Sequence, residues 1–325
     1  MKIIITGGAG FIGSHLAQYL IKKKHKVIII DNLSTGRLDN IKFFKNKVKF
    51  VKADISKYGK WTENFKNTQV VFHLAALADI VPSIQNPKKY FQSNVVGSEN
   101  IASLSIKYKV KKIIYAASSS CYGIPNNYPT TETEKIKPEY PYALTKYLGE
   151  QILMHYAKIY NIQVTSLRLF NVYGTRSRTS GTYGAMFGVF LAQKLKNKPL
   201  TVVGNGKQKR DFTFISDVVE AFYKVMRLKK NLQIFNIGSG SSVSVNTIVK
   251  LLGCKKINIP KRPGEPDVTF ANIKKFKHEF NWKPKVTIRQ GIINIVKEIN
   301  YWKSAPVWTP KKIKTATKDW FKYLK

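Results

Sequence analysis

The stretch "KIIITGGAGFIGSHLAQYLIKKKHKVIIIDNLSTG", residues 2–36, decides the fold. The apolar run Lys2–Thr6 reads as a strand, glycines follow, and helical spacing then runs from near Gly10 to about Lys23. A second apolar run, Lys26–Ile30, closes on Asp31. Gly8, Gly10 and Gly13 satisfy G-x-G-x-x-G, and Gly7, Gly10 and Gly13 satisfy G-x-x-G-x-x-G. These glycines follow a strand and open a helix, where bare backbone can approach a pyrophosphate resting on the positive helix N-terminus. Asp31 is placed to accept hydrogen bonds from both hydroxyls of an adenosine ribose and to repel a 2′-phosphate. The unit predicts a dinucleotide site that prefers NAD to NADP; Arg37 is the one neighbour that would suit NADP.

Working outward, strands follow at Val48–Val51, Val70–Leu74 and Lys112–Ala116, the rhythm of a doubly wound parallel sheet. Ligands lie beyond the C-terminal ends of such strands. Asp54 and Ile55 of "ADI" are placed to meet the adenine, and Ala75 and Ala76 of "AALA" the pyrophosphate or nicotinamide ribose. Ser118, Ser119 and Ser120 leave a strand end together and offer hydroxyls beside the cofactor. After Asn171 the alternation loosens, and "FNIGSG" at 235–240 reads as a return to the sheet. The fold class is α/β: a Rossmann sheet over 1–172, with 210–240 returning to it. A smaller α/β substrate-binding domain over 173–209 and 241–325 interleaves with it.

In "YPYALTKYLGEQIL", residues 140–153, Tyr142 and Lys146 stand four apart on one helix face, while Leu148, Ile152 and Leu153 turn toward a core. A chain with 17 Tyr and 56 Lys+Arg produces Y-x-x-x-K by chance, so context decides its meaning. A free phenol titrates near ~10, too high for a base at neutral pH. A lysine on the same face, with a positive nicotinamide beside it, favours the phenolate and lowers that value.

The 325 residues are 43% apolar, and the longest apolar runs are strand-sized, far short of the ~20 residues of a membrane span. The N-terminus enters a strand without the h-region of a signal peptide, and two cysteines, Cys121 and Cys254, make no disulfide scaffold. Cytoplasmic placement is the expectation, with no membrane or nucleic-acid partner and no metal. The net charge of +38 is spread as lysine over the whole length, in a chain rich in residues with A/T-rich codons. No recognition motif accompanies it. Arginine behaves differently: Arg176, Arg178, Arg210 and Arg262 all fall in the later half, where bidentate phosphate contacts belong. The tail "TPKKIKTATKDWFKYLK" sets Ile313, Ala316, Trp320 and Leu324 on one helical stripe, expected to dock on its own protein.

Taken jointly and in order, "TGGAGFIGSHL", Asp31-Asn32, "ADI", "HLAALA", "SSSCYG", Tyr142-x-x-x-Lys146, "LRLFNVYG", "VVGNGKQKRDFTFISDVV", "FNIGSG" and "RPGEP" resemble the extended short-chain dehydrogenases/reductases. Within these the chain resembles the nucleotide-sugar epimerases of the UDP-galactose 4-epimerase kind, from Gly7 to about residue 300. The resemblance implies catalytic roles for Ser118, Tyr142 and Lys146, with oxidation of a sugar hydroxyl to a ketone and its reduction from the other face. It implies NAD contacts from Gly7, Gly10, Phe11, Ile12, Gly13, Asp31, Asn32, Asp54, Ile55, Leu74, Ala75, Ala76, Asn94, Tyr142, Lys146 and Phe170. It implies UDP-sugar contacts from Ser118, Ser119, Ser120, Tyr142, Asn171, Arg210, Arg262 and Thr269, and a homodimer built on the Tyr/Lys helix. The family's proline near Met186–Phe187 is missing here. Related dehydratases carry Asp-Glu directly after the residue matching Ser118, and decarboxylases a Glu two after it; here both positions are serine. Thr269 matches the position beside the hexose C2 substituent, where a small side chain leaves room for an N-acetyl group. The rivals are a dehydratase, decarboxylase or reductase of the same fold, and a catalytically retired nucleotide-binding scaffold.

Overall fold

Ile3, Ile4 and Ile5 are all fully buried, which a strand permits only when both faces of its sheet are covered. They lie on β1 (Lys2–Thr6), central in a parallel sheet with β2 (Lys26–Asp31), β3 (Val48–Lys52), β4 (Val70–His73), β5 (Lys112–Ser118) and β6 (Gln163–Leu169). Short strands β7 (Asn171–Tyr173), β8 (Leu200–Val203), β9 (Lys209–Arg210) and β10 (Phe212–Phe214) come next, and β11 (Gln233–Ile237) returns to pair with β6. The sheet order is β11-β6-β5-β4-β1-β2-β3, so the direction of growth reverses between β1 and β4, where a crevice opens. This computed structural model describes residues 1–177 and 185–324; Arg178 lies outside them.

Alternation along each strand divides the core in two. Ile3, Ile5, Val27, Ile29, Phe72 and Phe235 face one side with α1 (Phe11–Lys22), whose Leu16, Ala17 and Leu20 are buried. Ile4, Ile28, Ile30, Val71, Ile113 and Tyr115 face the other. After α2 (Ile80–Gln85) and α3 (Pro87–Phe91), a π-turn over Gln92–Val96 leads into α4 (Gly97–Lys107), which packs with α5 (Pro141–Tyr160) on that second face. Leu153 of α5 is buried, but Leu148 and Ile152 are only half-buried, contrary to expectation. The covered face of α5 carries Lys146, Gly149 and Glu150 instead, and at Gly149 the π-turn and α4 leave no room for a side chain.

The later half adds α6 (Met186–Leu195), α7 (Ile215–Val225) against α1, β12 (Val243–Ser244), α8 (Val245–Leu252), β13 (Lys256–Ile259), α9 (Lys274–Phe280) and α10 (Ile288–Lys297). Three small strand pairs, β10 with β7, β12 with β9 and β13 with β8, stand apart from the main sheet. The expected single tail helix is two, α11 (Pro310–Ala316) and α12 (Lys318–Tyr323), parted at the buried Thr317. Ile313 and Trp320 are buried and Ala316 and Leu324 half-buried, so the stripe does dock on its own protein.

The glycine turn tolerates no side chain. A Cβ on Gly13 would lie 2.2 Å from the Gly7 carbonyl oxygen and 2.8 Å from Gly8 Cα, both backbone atoms that cannot swing aside. Gly13→Ala is therefore expected to lower the unfolding free energy by ~1–3 kcal/mol, the usual cost of overpacking, in urea titrations. Gly59→Ala, where nothing lies nearer than 3.5 Å, should stay within ~0.5 kcal/mol of wild type.

Candidate active site

The end of β1 turns at Gly7, whose φ of +70° and whose approach to Ala75 N, 2.7 Å from an added Cβ, both require glycine. Helix α1 then starts at Gly10 without a side-chain cap, so its positive end faces the crevice. A cavity there is lined by Gly7, Gly10, Phe11, Ile12, Gly13, Asp31, Asn32, Asp54, Ile55, Leu74, Ala75 and Ala76. Twelve residues expected to hold the cofactor thus meet in one place. The bare cradle and uncapped helix end fit a dinucleotide pyrophosphate.

Asp31 is buried and accepts the Ala9 amide (3.0 Å) and the Leu33 amide (2.8 Å). Burial raises its pKa and those two bonds oppose the rise. Its carboxylate thus staples the glycine turn to β2, and each oxygen keeps a second lone pair for a ribose hydroxyl. Asp54 is shifted down: burial pushes up, but hydrogen bonds from the Ser56 amide and hydroxyl and from Asn32 outweigh it.

The other four, Asn94, Tyr142, Lys146 and Phe170, do not line this cavity. The Asn94 carboxamide is spent on the protein, accepting from Leu77 N (2.7 Å) and donating to Leu77 O (3.0 Å) and Thr145 Oγ1 (3.1 Å). It braces the loop after β4 against α5. Phe170 packs with Tyr122, Cys121 and Ala271 in a small separate core.

His73, unassigned in the sequence reading, proves to support the cofactor turn. Ser98 Oγ donates to Asn94 O (2.6 Å) and so accepts from His73 Nε2 (2.9 Å). Nδ1 therefore accepts from Thr6 Oγ1 (2.7 Å), which accepts in turn from the Ala75 amide (3.2 Å). Burial holds the imidazole neutral, with its pKa pushed down to about 3 and Lys146 adding to the shift. Only the "HLAALA" motif hinted at this chain of bonds, since its partners come from three separate elements.

Tyr142 sits in the first turn of α5, stacked on Tyr140 (ring centroids 6.3 Å apart) and edge-on to Tyr90 (6.5 Å). Burial raises its pKa, a hydrogen bond with Ser118 opposes the rise, and the Asp79 carboxylate adds to it. The shift from these protein groups is thus upward, whereas the expected lowering rests on Lys146 together with a positive nicotinamide. The reason is placement: the Lys146 ammonium lies over the Tyr115 ring at 4.0 Å, and burial dominates the phenol. Burial also takes Lys146 down to about 7 against the pull of Glu150. Ser118 Oγ is held by Ser120 Oγ (2.8 Å) and accepts the Ser120 amide (3.2 Å); Ser119 opens the same short turn. Asp79 escaped the sequence reading because no motif marks it; the fold delivers it at the N-cap of α2.

A second cavity, in the later half, is lined by Asn171, Tyr173, Phe187, Arg210, Phe212, Arg262 and Glu265. Arg210 Nη2 meets Glu265 Oε1 at 2.7 Å, and Arg262 Nη1 lies 3.8 Å from Glu265 Oε2. Thr269 Oγ1 donates to Asn171 Oδ1 (2.7 Å), and the Thr269 amide donates to the Lys209 carbonyl (3.0 Å). Arg176 points elsewhere: it bonds Gln18 (2.6 Å) and packs on Phe44, so the arginine bias of the later half is only partly a site signal.

Residues 3–238 match the profile of the NAD dependent epimerase/dehydratase family. The chain belongs to that family. This family member is 38% identical to a putative UDP-glucose 4-epimerase of Methanocaldococcus jannaschii, over 90% of its own length and 97% of the relative's. It is 31% identical to UDP-glucuronic acid decarboxylase 4 of Arabidopsis thaliana, over 92% of its length and 68% of the relative's. Among solved structures it resembles the Thermotoga maritima UDP-glucose 4-epimerase with UDP-glucose (TM-score 0.86, 32% identity, 94% and 99% covered). It also resembles the Bacillus cereus UDP-glucuronic acid 4-epimerase in complex with UDP-glucuronic acid and NAD (TM-score 0.85, 31% identity, 94% and 99% covered). No helix among the described residues of this family member is long and apolar enough to cross a membrane.

Lys146 makes the stability of this family member depend on pH. Its folded pKa of about 7 lies below the ordinary 10.5, so between those values the unfolded chain holds a proton that the folded one has released. Stability from this group therefore rises as pH climbs from about 7 toward 10.5, and its burial weighs most against folding below 7. Lys146→Met should be more stable than wild type at pH 6 in urea unfolding, with the gain shrinking steadily above neutrality. A gain independent of pH would show that Lys146 is not buried as a neutral amine.

Proposed function

We propose that the protein is an NAD-dependent epimerase acting at C4 of a UDP-hexose. The observation that carries this reading is the pair of cavities, one a bare glycine cradle and the other lined by Arg210 and Arg262, in a chain that sets Tyr142 and Lys146 on one helix, α5. Lys146 acts electrostatically on His73, behind Ala75 of the glycine-lined cavity. Tyr140, stacked on Tyr142, feels Glu265 and Arg210 of the arginine-lined one. A sugar whose diphosphate is held by Arg210 and Arg262 would present its ring to Tyr142. NAD, held along Gly7, Gly10, Gly13, Asp31 and Asp54, supplies reversible two-electron oxidation of the sugar carbinol when bound.

In this reading Tyr142 Oη takes the proton of the C4 hydroxyl and later returns it. Ser118 Oγ, oriented by Ser120, holds the sugar oxygen in line with the phenol. Lys146, poised near neutrality, balances the charge on the tyrosine. Asn171, bonded to Thr269, faces the sugar. Cys121 and Cys254 are free thiols, which fits a reducing, cytoplasmic setting. We place a homodimer contact on the outward face of α5, where Leu144 and Ile159 are exposed.

A sister reaction has one observation in its favour: the 31% identity to UDP-glucuronic acid decarboxylase 4 of Arabidopsis thaliana. Against it, Ser119 and Ser120 stand where the dehydratases and decarboxylases carry acids, so no carboxyl follows Ser118 directly. Incubation with UDP-hexoses and UDP-uronic acids, followed by NMR, separates the cases. Equilibration of the C4 epimers without loss of CO₂ or water is expected, and a decarboxylated or 4-keto-6-deoxy product at a matching rate would overturn the reading.

Tyr142→Phe should keep the fold and bound NAD while turnover falls ~10²–10⁴-fold, the usual worth of a positioned acid/base. Near-normal turnover would remove Tyr142 from the chemistry. At the sugar end, Thr269 is small, so N-acetylated UDP-hexoses should be accepted beside plain ones. Thr269→Tyr should close the pocket and shift kcat/KM toward plain hexoses; an unchanged ratio would put the gate elsewhere.

A further inference from the structure

We propose that the C-terminal helix α12 is part of the substrate site, with Trp320 a positioning residue for Arg262. This rests on the reading of Arg262 as a diphosphate ligand.

Lys318, Phe321, Lys322 and Tyr323 of α12 are exposed, whereas Trp320 is 5% exposed and anchors the helix. Its indole Nε1 donates to the carbonyl of Pro263 (2.7 Å), the residue directly after Arg262. Its ring lies 5.1 Å from the Arg262 guanidinium carbon, within cation–π range. Glu265 Oε2 also stands 3.8 Å from Arg262 Nη1. The guanidinium thus has an aromatic ring and a carboxylate as neighbours, and the backbone beside it is pinned by the same indole.

At its far edge α12 reaches the sheet half. Asp319 accepts from Gln85 Nε2 (2.7 Å) at the end of α2, and α12 packs along α2. Helix α2 begins at Asp79, the carboxylate that acts on Tyr142. One short helix therefore ties the loop carrying Arg262 to the segment beside the reacting tyrosine. An arginine held in its binding pose has less side-chain freedom to lose when a diphosphate arrives. The ammonium-rich surface of the tail is not what matters; the indole is.

The test measures the Kd of UDP by calorimetry, with NAD content of the purified protein as the control. Trp320→Leu should bind UDP about 10-fold more weakly, between the worth of an exposed and of a desolvated cation–π contact, while retaining NAD. Trp320→Phe keeps the ring face and loses the N–H, so its Kd should fall between. With substrate, KM should rise by more than kcat falls. Should Trp320→Leu lose NAD and fold poorly, Trp320→Phe combined with Arg262→Ala decides: the effect of the tryptophan change must vanish when Arg262 is gone. Wild-type affinity in Trp320→Leu, or additive losses in the double variant, would overturn the proposal. Wild-type protein that binds no UDP at all would instead refute the substrate reading itself.

Discussion

Glu150 and Arg168, 1% and 4% exposed, form a two-pronged ion pair at 2.6 and 3.1 Å that holds α5 against the sheet. Removing one partner from such a pair leaves an uncompensated buried charge, which costs about 3–5 kcal/mol. The pair is fully served by neighbours: Ser166 donates to Glu150 (2.6 Å), and Arg168 reaches the Tyr122 hydroxyl (3.0 Å) and the Glu132 carbonyl (3.2 Å). Tyr122 passes the network to Asn236 on β11 (2.7 Å). The strand that returns to the sheet late in the chain is thereby locked to the helix that carries Tyr142 and Lys146.

The depth of α5 set by that pair has chemical consequences. A Cβ on Gly149 would lie 2.7 Å from both the Tyr115 hydroxyl and Asn94 O, so α4 and its π-turn press directly on the helix. Lys146 is carried down onto the Tyr115 ring and out of water. Desolvation then moves the Lys146 and Tyr142 shifts toward their neutral forms, and His73 beside them is neutral as well. The second cavity is lined instead by the Arg210–Glu265 ion pair and by Arg262 beside it. In the proposed reaction the Tyr142 side handles the proton and the arginine side holds the diphosphate of the same ligand.

Much of this was legible in the chain itself. Glycine spacing after an apolar strand determined the cradle at Gly7–Gly13, because backbone approach depends on local covalent geometry and on the absence of a Cβ. The apolar runs determined the strands, and the i, i+4 spacing of Tyr142 and Lys146 determined their shared helix face. These are short-range properties, and a linear reading captures them. The same reading placed Leu148 and Ile152 toward the core, since periodicity alone cannot say how closely a neighbouring helix will approach. It also read Arg176 as part of an arginine bias toward the substrate half, although the fold turns it onto Gln18.

Tertiary structure alone decided the rest. The direction of the Tyr142 shift depends on burial and on Asp79, which sits far away in sequence and arrives through the turn into α2. The tautomer of His73 follows from partners on β1 and α4, and the cation–π contact of Arg262 from an indole near the end of the chain. Solvation and charge act through space, so their sign at a given residue is settled only when distant segments are brought together. Residue type and spacing determined which chemistry this chain can carry; packing decided the protonation state and the position in which each group stands ready.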